Sequence, residues 1–422
     1  MADIRMFRAI RPKPEKASAI AALPYDVYDR REAGAVVKKN PDSFLAIDRA
    51  ETNFPSSVNI YAKKVYEKAR DLIREKIKNG DFIMEEYPCY YVYSLCMNGR
   101  TQRGFVGCVS IDDYENGVVK KHENTRAEKE KDRIRHIDVT SMQTGPIFLA
   151  YRKNEILHGI MDKAVTKKPL YDFVAEDGVR HTVWAIRDPE EQKHLRRAFR
   201  QMDSCYIADG HHRCASAVKV GQMRREEHPG YTGMEEFNTF LAVLFEEEEL
   251  MIMDYNRVLK NFGKHTAEDL LAFLEKDFVI TSFEKGISAK KKENEALIKP
   301  AKKGEYALYL QGTWYRLKYR GRGRKDPVKS LDVSILQDRV LSPFFGIDDP
   351  KTDPNIDFVG GIRGLKELEK RCKTECVCAF ALYPTSITEL FSVADAGLLM
   401  PPKSTWFEPK LRSGLFLHEI EK

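Results

Sequence analysis

The sequence contains no run that approaches about 18 consecutive apolar residues, the length that indicates a membrane-spanning helix. Residues 1–5 also lack the apolar core with which a secretory signal peptide begins. The eight cysteines are spread over a long chain, so they do not form the dense disulfide framework of a small secreted domain. We therefore expect a cytoplasmic protein without a membrane partner, in which most cysteines are reduced thiols.

A strong bias toward one sign of charge is also absent. Lys plus Arg number 70 and Asp plus Glu number 64, and the two signs are interleaved along most of the chain. The resulting net charge of +6 does not demand a nucleic-acid partner. The sequence shows neither a helix-turn-helix signature nor a basic domain, so nucleic acid is not an expected partner.

The sequence lacks the common motifs of nucleotide and metal sites. It has no Walker-type phosphate-binding loop and no protein-kinase catalytic set. The glycines of residues 360–364 do not form a dinucleotide fingerprint, and Cys372, Cys376 and Cys378 lack the paired spacing of a zinc site. Any phosphoryl transfer must therefore use another scaffold.

The chain does have the length and composition of a globular protein with more than one core. Its 422 residues are more than one domain with a single hydrophobic core usually contains, and 42% of them are hydrophobic. Strand-like segments at both hairpin and crossover spacing predict an α/β, or α+β, fold of mixed β-sheets with flanking helices. We predict two lobes, residues 1–235 with the motifs described below and residues 236–422, whose tail returns to the site.

A few elements can be predicted individually. The helical spacing of apolar residues predicts a helix within residues 58–78. Asn98-Gly99 between strand-like residues 90–97 and 102–110 predicts an antiparallel hairpin. Residues 285–303 are rich in charge, which favours a surface connection.

One short segment combines groups suited to binding an anion. A predicted apolar strand at residues 205–208 leads into a predicted helix through Asp209, Gly210, His211, His212 and Arg213, here called the 209–213 motif. Backbone N–H groups and the positive end of the helix dipole point at such a turn. The planar guanidinium of Arg213 can grip phosphate oxygens, and Gly210 permits close approach of the backbone.

Two other interpretations of the 209–213 motif remain open. Asp209 can cap the helix, with the following three residues as its solvated first turn. The adjacent His211 and His212 can also bind zinc, but neighbouring side chains on a helix diverge, which disfavours this interpretation.

Two further segments contain candidate functional groups. The polar residues 120–125, continuing to Lys129, Lys131, Asp132 and Arg133, mix potential acid, base and phosphate-binding groups. They include His122 and Glu123, and such a stretch is typical of an exposed surface unless the fold brings Glu123 to the 209–213 motif. Residues 400–410 include three prolines, which stiffen the chain, together with Lys403 and Lys410. A stiff loop can deliver these lysines to a phosphate, and a tail that wraps the core is the alternative.

Together these segments resemble a bacterial and archaeal family known as domain of unknown function 1015, and the resemblance extends over nearly the whole chain. It rests on the 209–213 motif, on the closing residues 400–410, and on Leu23-Pro24-Tyr25-Asp26-Val27, Asn40-Pro41-Asp42-Ser43-Phe44, His122-Glu123 with Thr125, and Lys131-Asp132-Arg133.

The 209–213 motif also resembles the phosphate-binding motif of the ParB and sulfiredoxin-like superfamily, particularly its free-serine kinases, which transfer a phosphoryl group from a nucleotide to L-serine. A His-Glu pair precedes the motif in those kinases, and His122-Glu123 matches it in the same order. The resemblance implies a ParB/sulfiredoxin-like core, here with large insertions, one of which separates the pair from the motif. It implies that Glu123 is the catalytic base, with His122 beside it, and that the motif holds the phosphates of ATP or ADP and, through Asp209, Mg²⁺.

We therefore expect a nucleotide-dependent kinase of a small hydroxyl compound, with free L-serine as the first candidate. The alternatives are a ParB-like nucleotide switch and a non-catalytic binding protein. Lys403 and Lys410 are the expected additional phosphate ligands, and Asp132 and Asp26 are the next candidates for the base. A homodimer is left open.

Overall fold

The computed structural model describes residues 1–125, 127–284, 286–321 and 325–421. They form two compact units, Met1–Leu250 with Pro409–Lys422, and Met251–Glu408. Within the described residues, the helices are all too short or too polar to cross a lipid bilayer.

The first unit alternates strands and helices along the chain. Its strands are β1 (Ile4–Arg5), β2 (Ile10–Pro12), β3 (Phe82–Met84), β4 (Tyr90–Met97), β5 (Arg100–Ser110), β6 (Val119–Lys120), β7 (Met142–Gln143), β8 (Ile147–Tyr151), β9 (Tyr171–Val174), β10 (Arg180–Ile186), β11 (Cys205–Asp209) and β12 (Thr239–Glu246). Its helices are α1 (Ala17–Ile20), α2 (Arg30–Lys39), α3 (Leu45–Asp48), α4 (Lys63–Lys78), α5 (Ile111–Glu115), α6 (Ala127–Thr140), α7 (Glu155–Val165), α8 (Pro189–Arg200) and α9 (His211–Glu227).

The principal sheet of this unit has the strand order β6-β11-β8-β12-β5-β4-β10-β9, and β1 pairs with β5. β6 is parallel to β11 and β8 is parallel to β12, whereas β11 and β8 are antiparallel. The sheet is therefore mixed, as predicted. The unit extends beyond the predicted boundary at residue 235, because β12 lies between β8 and β5 in this sheet.

The hairpin formed by β4 and β5 confirms the prediction. The two strands are antiparallel, and Asn98 and Gly99 join them with φ angles of 53° and 80°. Positive φ at both central residues is typical of a type I′ turn, whose twist matches that of the flanking strands.

The helix predicted within residues 58–78 is α4. It begins at Lys63, and the backbone of Ala62 before it is extended. Val65, Ala69 and Ile73 recur every four residues and are buried in a core cluster. The apolar spacing therefore identified the buried face of the helix correctly.

The second unit is built on an antiparallel sheet with the order β15-β17-β16-β19-β14-β18. Its strands are β13 (Ile252–Met253), β14 (Tyr255–Leu259), β15 (Phe278–Ser282), β16 (Glu305–Leu310), β17 (Thr313–Tyr319), β18 (Ile356–Gly360), β19 (Cys378–Leu382) and β20 (Trp406–Phe407), and its helices are α10 (Ala267–Leu274), α11 (Lys292–Ile298), α12 (Asp332–Leu336), α13 (Ser342–Phe345), α14 (Leu365–Thr374) and α15 (Ile387–Asp395). The chain then returns to the first unit, where β21 (His418–Glu419) pairs with β7.

The prediction that residues 285–303 are a surface connection holds for most of the described residues, which are exposed or half-buried. α11 occupies part of it, and Ala289 and Ile298 are buried in the core cluster of the second unit. A few apolar residues among many charged ones are enough to anchor this segment. Lys285 lies outside the described residues.

A buried histidine network joins the returning tail to β10. The Nε of Arg412 donates to the Nε2 of His181 over 3.2 Å, so the Nδ1 of the neutral ring carries the proton and donates to the Tyr93 hydroxyl over 2.8 Å. His181 is fully buried. Burial, followed by the charge of Arg412, lowers the pKa of His181 to about 3.

The low pKa of His181 predicts a loss of stability in mild acid. The unfolded chain binds a proton at this residue below about pH 6.5, whereas the folded chain resists protonation until about pH 3. The contribution is therefore complete above pH 6.5, and we expect it to fall by about 2 kcal/mol at pH 5. Urea unfolding of the wild type and His181→Gln at pH 7.5 and pH 5 measures it. Equal pH dependence in the two proteins would refute the assignment.

Candidate active site

The 209–213 motif forms the turn between β11 and α9. β11 ends at Asp209, α9 begins at His211, and Gly210 between them has a φ of 90°, which side-chain-bearing residues rarely adopt. A Cβ at this position would lie 3.3 Å from the Nε of Arg213. Glycine therefore allows both the backbone turn and the close approach of the guanidinium.

Asp209 binds a lysine from the returning tail. Its Oδ2 lies 2.9 Å from the Nζ of Lys410, and its Oδ1 accepts a hydrogen bond of 2.8 Å from the Gly210 N–H. Burial raises the pKa of Asp209, but the charges of Lys410 and Arg213 and these hydrogen bonds outweigh it and hold the pKa well below its usual range. The carboxylate is therefore ionised at neutral pH.

The capping interpretation of Asp209 is not supported. The residue that precedes α9 is Gly210, and among the described residues no side chain caps this end of the helix. The backbone N–H groups of the first turn therefore remain a suitable site for an anion.

The tail that carries Lys410 is fixed by backbone hydrogen bonds. Ser413 and Ala22 exchange N–H donors over 2.9 and 3.1 Å, and the Gly414 N–H donates to the Thr144 carbonyl over 3.1 Å. The tail thus packs on the first unit and also places Lys410 at the motif, so the two functions considered for it are compatible.

Arg213 lies beside a small polar cavity. Its Nη1 donates to the Pro146 carbonyl over 2.8 Å, and a Cβ on Gly145 would approach that nitrogen to 3.2 Å. The cavity of about 30 Å³ has room for about two water molecules. Its lining includes Tyr25, Asp48, Arg133, Thr144 and Ser413.

A larger opening lies on the other side of Tyr25 and Arg133, which line both spaces. The guanidinium of Arg133 stacks over the Tyr25 ring at 4.0 Å. The opening has a volume of about 200 Å³, and its charged lining residues are Asp26, Arg49, Glu51, Lys129, Asp132 and Arg133. Tyr25 is not among the predicted ligands, whereas Arg133 is one of the potential phosphate-binding groups of the polar stretch around His122, and both lie in strings that carry the family resemblance.

His122 and Glu123 lie next to the 209–213 motif because β6 and β11 are parallel neighbours. Parallel strands end at the same edge of a sheet, so the loop after β6 and the turn after β11 lie side by side. The rings of His122 and His211 meet edge to face, with centroids 4.5 Å apart. Pairing of these two strands therefore brings His122-Glu123 to the 209–213 motif, although a long insertion separates the two segments in the sequence.

The two histidines are neutral. Burial lowers the pKa of His122 to about 4, although the charge of Asp209 opposes this effect. Burial also holds the pKa of His211 well below its usual value, and the proximity of His122 adds to the shift. His122 is only 2% exposed, so the prediction of a solvated surface was wrong for this residue, whereas Glu123 is half-buried.

His212 and Lys403 are the other two predicted phosphate ligands, and they lie in different parts of the chain. The His212 carbonyl accepts a hydrogen bond of 2.7 Å from Ser216 within α9. Lys403 belongs to the second unit, where its Nζ lies 5.6 Å from the centre of the Tyr255 ring and its carbonyl accepts from Arg257 over 3.1 Å. The phosphate-binding roles of His212 and Lys403 remain predictions.

A protein-family model described as "Protein of unknown function (DUF1015)" matches residues 4–334. The chain belongs to this family. The matched range contains the His122-Glu123 pair and the 209–213 motif, while Lys403 and Lys410 lie beyond it. No curated protein matches the sequence.

Several solved structures are weakly similar to this DUF1015 protein. A free serine kinase variant in complex with ADP is 12% identical, with a TM-score of 0.34, and the alignment covers 72% of this chain and 91% of that one. A conserved hypothetical protein from Pyrococcus furiosus is 16% identical over 73% and 93% of the chains, with a TM-score of 0.34. SbnI from Staphylococcus aureus is 10% identical over 73% and 85%, with a TM-score of 0.35. At such TM-scores, the activity has to be argued from the chain's own residues.

Replacement of Lys410 in the DUF1015 protein is expected to lower its stability. Lys410→Met leaves the Asp209 carboxylate without its ammonium partner, and breaking a fully buried pair typically costs 3–5 kcal/mol. The Asp209 side chain is 35% exposed and can be partly rehydrated, so we expect a loss of about 1–2 kcal/mol.

Urea unfolding at pH 7 measures the effect of Lys410→Met, and Lys403→Met is the matched control, because the Lys403 ammonium is exposed and lies over an aromatic ring. Equal stability of the two variants would show that the Asp209–Lys410 pair contributes nothing.

Proposed function

We propose that this protein is a nucleotide-dependent kinase of a small hydroxyl compound, with free L-serine as the first candidate substrate. The observation that carries the proposal is the convergence of Asp209, Lys410 and Arg213 at the start of α9, with Glu123 on the adjacent loop. This arrangement supplies cations and backbone donors for phosphate and a carboxylate for proton transfer, which are the groups that phosphoryl transfer requires.

The phosphate-binding side of the proposal consists of the α9 N-terminus, Lys410 and Arg213. Backbone N–H groups and the helix dipole favour an anion, and both side chains carry full positive charge. We propose that they hold ATP or ADP. Asp209 fits Mg²⁺, because its carboxylate is ionised and hard cations prefer oxygen ligands. When bound, Mg²⁺ would neutralise phosphate oxygens.

The acceptor side of the proposal consists of Glu123 and the opening beside Arg133. An amino acid carries both a carboxylate and an ammonium group, and the opening offers Arg133 and Lys129 for the first and Asp132 and Asp26 for the second. Burial raises the pKa of Asp132, but Arg133 and the Tyr66 hydroxyl outweigh it, so the carboxylate stays ionised. This mixture of charges supports an amino-acid acceptor over a neutral alcohol.

A nucleotide-consumption screen of the full chain tests the proposed activity. The panel contains ATP and ADP, each with amino acids, hydroxy acids or DNA. Serine-dependent turnover with release of O-phosphoserine is the expected result. DNA-dependent turnover would instead indicate the ParB-like switch, and nucleotide binding without turnover would indicate the non-catalytic binding protein.

The proposed phosphate contact of Lys403 gives a separate prediction. Lys403→Met is expected to lower activity, because it removes one of the positive charges proposed to contact the nucleotide phosphates. Steady-state kinetics against nucleotide concentration measures it, and the effect should appear as a higher KM for nucleotide. Full activity with an unchanged KM would show that Lys403 does not bind the nucleotide phosphates and would argue for a purely structural tail.

A further inference from the structure

His122 and His211 are buried without partners for several of their ring nitrogens. Their exposed fractions are 2% and 6%. Among the described residues, no group forms a hydrogen bond with Nδ1 or Nε2 of His122 or with Nε2 of His211. The Ile207 backbone lies close enough to affect the pKa of His122 but does not meet the geometry of a hydrogen bond.

Unpartnered buried nitrogens are costly and need a physical explanation. A buried polar group without a hydrogen bond costs about 1–3 kcal/mol, and native proteins contain few of them. In a neutral imidazole, one of the two ring nitrogens has a lone pair that can bind a cation. A metal ion would satisfy one of these unpaired nitrogens on each ring.

Glu123 supplies a third ligand atom. One donor atom each from His122, Glu123 and His211 lie within 4.8 Å of one another. Ligands at zinc bind at about 2.0–2.1 Å, so donors of one ion lie no more than about 4.2 Å apart. A bound ion would draw the three donors closer together, and Glu123 is a half-buried residue whose long side chain can rotate toward it.

The fold holds the two histidines in place. His122 follows β6 and His211 is the first residue of α9, and the parallel pairing of β6 with β11 fixes the two backbones relative to each other. The relevant pair is therefore not the adjacent His211 and His212, whose side chains diverge on a helix, but two histidines from neighbouring strand ends.

We propose that His122, His211 and Glu123 form a binding site for a divalent first-row transition cation such as Zn²⁺. Two imidazoles and one carboxylate suit this class of ion, whereas Mg²⁺ prefers oxygen ligands. The site is thus distinct from Asp209, which suits Mg²⁺. It does not rest on the proposed kinase activity, because it requires neither nucleotide nor acceptor. Glu123 can bind the ion through one carboxylate oxygen and keep the other for a proton.

Calorimetric titration of the chelator-treated full chain with Zn²⁺, without nucleotide, tests the site. We expect one strongly bound ion per chain that an equal concentration of Mg²⁺ does not displace. Loss of an outer partner of a metal ligand weakens binding about 10- to 100-fold. His122→Gln and His211→Asn remove ligands themselves, so each should weaken binding by at least about 100-fold. The absorption spectrum of Co²⁺ in the same proteins reports the coordination.

His194→Gln is the matched control, because His194 is an exposed histidine on α8. It should bind Zn²⁺ as the wild type does. The proposal would be overturned if the wild type did not bind Zn²⁺, or if the His122 and His211 variants bound it as strongly as the wild type. If these variants fail to fold, an anomalous zinc peak between the two rings in wild-type crystals decides the matter, and a peak elsewhere refutes it. Because nucleotide is absent, these outcomes are independent of the turnover screen.

Discussion

Glu123→Gln is expected to lower kcat by about 10²- to 10⁴-fold, the usual range for general acid–base catalysis, while nucleotide affinity changes little. A serine hydroxyl is a poor nucleophile at neutral pH, so a carboxylate that accepts its proton assists formation of the bond to phosphorus. Glutamine keeps the shape of the side chain and removes the base. Single-turnover kinetics with saturating nucleotide and a separate nucleotide titration measure the two quantities.

Asp132→Asn and Asp26→Asn are the matched controls for this experiment. Both carboxylates line the opening beside Arg133, and they are the next candidates for the base. We expect them to raise the KM for the acceptor more than they lower kcat. A larger loss of kcat in either variant than in Glu123→Gln would move the base to that residue. Loss of nucleotide binding in Glu123→Gln would instead make Glu123 an organiser of the metal or phosphate site.

The sequence predicted the local elements of the first unit well because their signals are local. Asn98-Gly99 defines the hairpin by its tolerance of positive φ, and apolar spacing defines the buried face of α4. The strand-to-helix turn at Gly210 was also predictable, since an apolar strand, a glycine and a helical segment follow one another directly.

The assembly of the site was not predictable from local signals. His122-Glu123 meets the 209–213 motif only because β6 pairs with β11, and β6 is a two-residue strand without a sequence pattern of its own. Arg133 looked like part of a solvated stretch, yet it is 7% exposed and stacks on Tyr25. Its buried environment depends on contacts with distant residues, which residue spacing does not report.

The position of Lys410 depends on long-range packing as well. Proline-stiffened residues 400–410 suggested a loop that reaches a phosphate site, and the structure brings Lys410 to Asp209 through the backbone pairing of Ser413 with Ala22. Lys403, from the same segment, belongs to the other unit. Equivalent lysines in one motif therefore have different environments, which composition and spacing cannot distinguish.

Arg213→Ala is expected to weaken nucleotide binding by about 10- to 150-fold. A hydrogen bond to a charged group contributes about 1.5–3 kcal/mol, and one of these is lost with the guanidinium. Arg213→Lys should show an intermediate loss, because it keeps the charge but not the planar geometry of the guanidinium donors. Calorimetry with ADP measures all three proteins.

Arg180→Ala controls for the loss of one positive charge, because Arg180 pairs with Asp172 and its side chain is 58% exposed. Urea unfolding must accompany the titration, since Arg213→Ala also removes the hydrogen bond to the Pro146 carbonyl. If Arg213→Ala folds and binds ADP as tightly as Arg180→Ala, the 209–213 motif is not the phosphate site. If Arg213→Lys binds as tightly as the wild type, charge alone is sufficient and the planar geometry contributes nothing. An ordered loss from arginine through lysine to alanine is the result expected if the planar guanidinium of Arg213, and not its charge alone, recognises phosphate.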